Sequence, residues 1–239
     1  MVMTDCFART YCKKYGDEGV CQYGCIAYHQ MNTIYSLSNL PKKYQQPIPL
    51  VPDTVDLDAF RKLKAWTVVE PDGPKFIHHV LDKVKGGQGL FIWSTTKGNG
   101  KTSWATKILH AYFRAVGVWN TMKCRGLYVN VAELLDSMRS NMDKPDEKHL
   151  TLMRRIRTAD VVIFDDIGTE SPTKWVREQL YIIINKRYSD ELVSIFTSNA
   201  SLDTLADEDK LGDRIASRIA GSCDQIQLRG GDNRYLEGE

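Results

Sequence analysis

Leu90-Phe91-Ile92-Trp93-Ser94-Thr95-Thr96-Lys97-Gly98-Asn99-Gly100-Lys101-Thr102 is an apolar run that breaks into a glycine-rich turn and resumes as a helical pattern. The run predicts a buried strand, and Trp104, Ile108, Leu109 and Tyr112 recur beyond it at helical spacing. A strand that turns through glycines into a helix is the context a phosphate loop needs. Gly98 and Gly100, with Asn99 between them, let the backbone fold tightly so that amides converge on phosphate oxygens. The helix opening near Thr102, with Ser103 in its first turn, adds its positive end. Lys101 is placed to reach the β- and γ-phosphates of a nucleotide such as ATP, and the Thr102 hydroxyl to ligate Mg2+. The usual pattern, Gly-x-x-x-x-Gly-Lys-Ser/Thr, has glycine where this chain has Thr95, which predicts either an altered start to the loop or weaker nucleotide binding. A Gly-Lys-rich surface turn is the plain alternative for this stretch alone.

A second stretch weighs against that alternative. Val161-Val162-Ile163-Phe164-Asp165-Asp166-Ile167-Gly168 is an apolar strand ending in two carboxylates. In an open α/β sheet such a strand delivers its last residues to the ligand edge. Asp165 is expected to hold the magnesium shell and Asp166 to orient the attacking water.

Short strand-like segments recur at 89–94, 126–131, 160–165, 192–198 and 224–228. Helical patterns lie between most of them. Phe76, Val80, Leu81 and Val84 precede the first, Leu134, Leu135 and Met138 follow the second, and Leu180, Ile183, Ile184 and Arg187 precede the fourth. This alternation predicts an α/β fold with a parallel sheet covered on both faces.

The whole chain bounds the class. It has 239 residues, 42% hydrophobic and 26% charged, with a formal net charge of +2. That is an ordinary globular balance, without a global basic field that would announce nucleic acid. Its apolar runs are too short to span a bilayer, so no membrane contact is expected. The N-terminus lacks a basic-then-apolar signal pattern, and the protein is read as cytoplasmic. Prolines at 41, 47, 49 and 52 suit an extended linker. The expected division is an N-terminal cysteine-rich module over 1–40, a linker over 41–56 and an ATPase domain over 57–239.

Gly-Asn-Gly-Lys-Thr (98–102) followed by Phe-Asp-Asp-Ile-Gly-Thr-Glu (164–170) resembles the DnaC/DnaI-type helicase loaders, a branch of the AAA+ ATPases. The resemblance covers roughly residues 40–236. It implies a P-loop core with a five-stranded parallel sheet and no C-terminal lid. Ile195-Phe196-Thr197-Ser198-Asn199 is similar to the family's sensor 1 strand, with Asn199 near the γ-phosphate or the water. Gly212-Asp213-Arg214-Ile215-Ala216-Ser217-Arg218-Ile219 resembles its arginine-finger helix, with Arg218 as the finger toward a neighbouring subunit's nucleotide. A structural ion pair is the plain alternative for either Arg214 or Arg218. Gly231-Asp232-Asn233-Arg234 resembles sensor 2, with Arg234 on its own subunit's nucleotide. A lidless site completed by a neighbour implies ATP-dependent assembly into an open ring or spiral.

Four of six cysteines, Cys6, Cys12, Cys21 and Cys25, cluster near the N-terminus. They are read as a four-thiolate Zn2+ site, with His29 able to replace one ligand; free thiols in a tail are the alternative. The resemblance implies that such a module grips a hexameric replicative helicase. Tyr11, Tyr15, Tyr23 and Tyr28 are expected to pack around it. Residues 132–159 are long enough for two helices and carry Arg139, Arg154 and Arg155, which in this branch face single-stranded DNA. A solvated helix face is the plain reading of the same arginines.

The resulting expectation is a slow ATPase, stimulated by DNA or partner, that loads a helicase in DNA replication. Two rivals stand beside it: an IstB-like transposition helper ATPase, and a zinc-containing adaptor with a degenerate ATPase, for which Thr95 is the best support.

Overall fold

The computed structural model describes residues 6, 12–17, 21, 24–46, 50, 53–72, 75–117, 125–142, 144–168 and 172–232. Five parallel strands form the main sheet: β3 (Gly89–Trp93), β4 (Gly126–Asn130), β5 (Val161–Asp165), β6 (Val193–Ser198) and β7 (Cys223–Gln227), in the order β4-β5-β6-β3-β7. The expected five-stranded parallel sheet is therefore present, and each strand begins and ends within a residue of the stretch read from sequence.

Side-chain alternation divides the core into two layers. Leu90, Ile92, Val161, Ile163, Val193 and Ile195 face helix α4 (Lys101–Gly117), whose Ile108, Leu109, Tyr112 and Phe113 are buried against them. Phe91, Val162, Phe164 and Phe196 face the opposite layer. That layer comprises α5 (Val131–Ser140), α6 (Glu147–Thr158), α7 (Lys174–Ser189), α8 (Leu202–Leu205) and α9 (Asp213–Ser222). Capping side chains start several of these helices. Asn130 accepts from the Glu133 amide at 3.1 Å and Asp146 from the His149 amide at 2.6 Å. The two helices expected within 132–159 are α5 and α6.

The N-terminal helix α1 (Ile26–Leu37) buries Tyr28, Met31, Ile34 and Tyr35 in the same apolar cluster as α4. It ends near Asn39, whose φ is +58°, just before Pro41. His110 on α4 ties the two together. Its Nε2 donates to the Tyr44 carbonyl at 2.7 Å, which leaves Nδ1 to accept from the Tyr35 hydroxyl. Helix α2 (Leu57–Ala65) and helix α3 (His79–Lys85) complete this layer.

One element departs from the sequence reading. The apolar spacing predicts Phe76 in the helix before β3, whereas it lies in β2 (Lys75–His78), which pairs antiparallel with β1 (Val69–Asp72). In the sequence, the breaker pair Gly73-Pro74 between the two segments is the signal that the apolar spacing obscured.

Arg187 also does more than continue a helical stripe. It is fully buried and donates to the carbonyls of Ile156 and Ala159 at 2.8 Å each, to the Ser194 hydroxyl at 2.9 Å and to the Val193 carbonyl at 2.5 Å. One guanidinium thus joins the end of α6 to the start of β6.

Candidate functional site

The candidate site lies at the C-terminal edge of the sheet, where β3 runs into α4. Gly98 and Gly100 adopt φ of +74° and +93°, the left-handed backbone that glycine supplies without strain. The Ser94 hydroxyl accepts from the Thr96 amide at 3.0 Å and from the Asn99 side-chain amide at 2.6 Å. The Lys101 ammonium donates to the Thr96 carbonyl at 2.9 Å and the Asn99 side-chain oxygen at 3.4 Å. Lys101 is thereby folded inside its own loop. Thr102 and Ser103 follow in the first turn of α4, where the backbone amides lack helical partners. Thr95 is not among the residues with positive φ. The loop begins with backbone that threonine adopts freely, so the missing glycine costs no strain there.

Strand β6 lies between β3 and β5 and brings the second motif into place. The Asp165 carboxylate points to the α4 side, in step with Val161 and Ile163. Its Oδ1 accepts from the Thr102 hydroxyl at 2.8 Å and the Thr197 hydroxyl at 2.7 Å. Its Oδ2 accepts from the Tyr128 hydroxyl at 2.6 Å. Burial and the charge of Asp165 push the Tyr128 phenol far above its ordinary value, so it stays a donor.

Asp166 follows at φ +62°, a left-handed conformation for a non-glycine residue and a mark of local strain. Its amide donates to the Thr197 hydroxyl at 2.9 Å, and its Oδ1 accepts from the Asn199 side-chain amide at 2.7 Å. Burial raises its carboxyl pKa, the neighbouring Asp165 adds to the rise, and Lys101 and Lys97 oppose it. Gly168 then turns at φ +84° beneath Leu205, where a Cβ would lie 2.1 Å from a Leu205 methyl.

The structure therefore brings Gly98, Asn99, Gly100, Lys101, Thr102, Asp165, Asp166 and Asn199 together. The Thr102 hydroxyl and the Asp165 carboxylate form an adjacent pair of hard oxygen donors, which fits Mg2+. Tyr128 and Thr197 were not singled out from sequence as site residues. Their signal was register: Tyr128 pairs with Ile163, and Thr197 follows Val193 and Ile195 on the α4 face.

Other expectations fare differently. Arg218 is held within its own chain, donating from Nε to Asn185 at 2.9 Å with its guanidinium 5.2 Å from the Tyr188 ring. Arg214 lies 3.9 Å over the Tyr181 ring. Arg234 falls outside the described residues, as do Tyr11 and Tyr23. Asp232 is described and comes close to the phosphate loop: a Cβ on Gly98 would lie 1.8 Å from its Oδ1. The segment before it is clasped by Asp56, which accepts from the Arg229 amide at 2.7 Å and the Gly230 amide at 2.8 Å.

The zinc expectation does not fit this geometry. Among the described residues, no three or more His, Cys, Asp or Glu side chains are gathered to hold a metal ion. Cys6 is buried in the apolar cluster, and Cys12, Cys21 and Cys25 are partly buried against it. The basic residues separate as well. Arg139 and Arg154 are exposed, whereas Arg155 donates to the Leu37 carbonyl at the end of α1. No helix among the described residues is long and apolar enough to cross a membrane.

The model of the IstB-like ATP binding protein family matches residues 84–237. The replicative helicase loader DnaI of Bacillus subtilis (strain 168) is 26% identical over 189 residues, which cover 70% of this chain and 56% of that protein. The replicative helicase loader DnaC of Escherichia coli (strain K12) is 21% identical over 142 residues, covering 58% of this chain and 53% of that protein. This chain thus spans about half the length of the curated relatives it matches. Among solved structures, the DnaC helicase loader superposes with a TM-score of 0.62 at 22% identity, over 79% of this chain and 100% of that one.

Proposed function

Since the chain belongs to the IstB-like ATP binding protein family, we propose that it is an ATP-hydrolysing helicase loader of DNA replication. The observation that carries the enzymatic part is the convergence of Lys101, Thr102, Asp165, Asp166 and Asn199 on one sheet edge. Lys101 neutralises the β- and γ-phosphates. Thr102 and Asp165 hold Mg2+, which when bound screens the charge on the phosphate oxygens. Asp166 orients the attacking water and takes its proton, and the Asn199 amide fixes Asp166 for that task. Arg218 serves a neighbouring subunit's nucleotide, so it must first leave Asn185 and Tyr188. Assembly into an open ring or spiral and arginine release are then one event.

The loading role rests on two relatives that carry the name replicative helicase loader. The partners are a hexameric replicative helicase and single-stranded DNA, the latter met by Arg139 and Arg154. The test is native mass spectrometry with a hexameric replicative helicase, with and without ATP-Mg2+. A defined complex is expected whose release depends on hydrolysis and is lost in Lys101→Ala. No complex under any nucleotide condition would reject the loader role and leave the ATPase reading intact.

A second reading is favoured by the matched family's own description. An IstB-like helper of transposition would prefer duplex to single-stranded DNA and would bind a transposase. The degenerate-ATPase adaptor loses its main support, since Thr95 sits in unstrained backbone.

A further inference from the structure

We infer that Tyr128 is a positioning residue for the magnesium-binding carboxylate, an inference that rests on the ATPase reading above. Asp165 ends in a carboxylate whose terminal torsion is intrinsically broad, so its two oxygens would otherwise exchange places freely. Thr102 and Thr197 both donate to Oδ1. They define one oxygen but leave the carboxylate plane loose. The Tyr128 hydroxyl at 2.6 Å from Oδ2 adds the second anchor and fixes that plane.

The phenol is itself held from outside the sheet. Among the described residues, strand β4 is an edge strand, paired only with β5. The Tyr128 amide on its free side donates to the Ser38 carbonyl at 2.8 Å, just beyond α1. The Tyr128 ring lies 6.5 Å from that of Tyr44, whose carbonyl accepts from His110. The N-terminal segment therefore covers the sheet edge and sets the depth from which the phenol reaches Asp165. A tyrosine placed only for packing would not need its hydroxyl on a carboxylate that already accepts two hydroxyls.

The test compares wild type, Tyr128→Phe and Thr197→Val. It measures equilibrium binding of a fluorescent, non-hydrolysable ATP analogue in EDTA and across a Mg2+ titration. The expected Tyr128→Phe protein binds the analogue in EDTA as wild type does. Its Mg2+-dependent tightening falls by about ten-fold, the scale of one hydrogen bond to a charged group, and half-saturation needs correspondingly more Mg2+. Thr197→Val moves the same quantity in the same direction. A Mg2+ response identical to wild type in Tyr128→Phe would overturn the inference. So would equal weakening with and without Mg2+, which marks a purely structural residue. Wild type lacking any Mg2+ response would instead reject the ATPase reading beneath it.

Discussion

The Asn199 side-chain amide donates to Asp166 Oδ1 at 2.7 Å, joining the residue after β6 to the residue after β5. The contact fixes a carboxylate on strained backbone, at φ +62°, beside a second carboxylate. Strain of this kind persists only where the surroundings enforce it, and here they do so next to the phosphate loop.

Asp166→Asn should leave nucleotide binding intact and reduce turnover by about 100-fold or more, the usual scale for loss of a general base. Burial raises its carboxyl pKa, which moves the acid limb of the pH–rate profile upward from where an ordinary aspartate would place it. The linkage sign follows from the same shift. The folded state takes up the proton more readily than the unfolded state, so ionised Asp166 lowers stability above its folded pKa, and stability recovers as pH falls through it. The Asn variant should therefore melt no lower than wild type at neutral pH. A lower melting temperature would contradict the burial argument.

Asp232→Asn should tighten ATP binding several-fold. Its carboxylate lies against Gly98, where incoming phosphates carry like charge. Gly98→Ala should abolish binding, since the added methyl meets both a left-handed backbone at +74° and that carboxylate. Isothermal titration of both variants checks the pair; unchanged affinity in Asp232→Asn would remove the electrostatic argument.

His110 makes the attachment of α1 sensitive to acid. Its ordinary pKa of 6.5 is pushed down to about 4 by burial. Between those values the unfolded chain binds more protons than the folded one, so stability falls as pH drops from 6.5 to 4. The full loss is of the order of 3 kcal/mol. Urea denaturation at a series of pH values measures it, and His110→Gln should flatten the dependence within this window.

Arg187→Ala should destabilise the fold by about 3–5 kcal/mol, because it removes a buried cation and strands several buried acceptors at once. Arg187→Lys should recover only part of this, as an ammonium cannot span the same acceptors. Thermal melting of the two variants decides the point.

Arg154→Glu and Arg155→Glu should differ. Arg154 is exposed and its reversal should weaken single-strand binding and reduce the salt slope. Arg155 is engaged by the Leu37 carbonyl, so its reversal should also lower stability by loosening α1. Equal effects of both on DNA affinity, with no change in melting temperature, would contradict this assignment.

The five strands, the phosphate loop and the paired carboxylates are legible in the amino-acid sequence. Each is written in local periodicity or in residue types that a turn or a phosphate demands. Leu90–Trp93 and Val161–Phe164 read as buried strands because both faces of a parallel sheet are covered. What belonged to the tertiary structure is contact between distant residues. Strand order sets β6 between β3 and β5, so that Thr197 and Thr102 meet on one Asp165 oxygen, and the pleat turns Tyr128 toward the same carboxylate. Packing decided that Arg187 is a buried tie and that Arg155 holds α1. It also laid Asp232 on Gly98 and drew the N-terminal cysteines into an apolar cluster. Local spacing cannot anticipate these outcomes, because they depend on which surfaces remain to be covered once the sheet has formed.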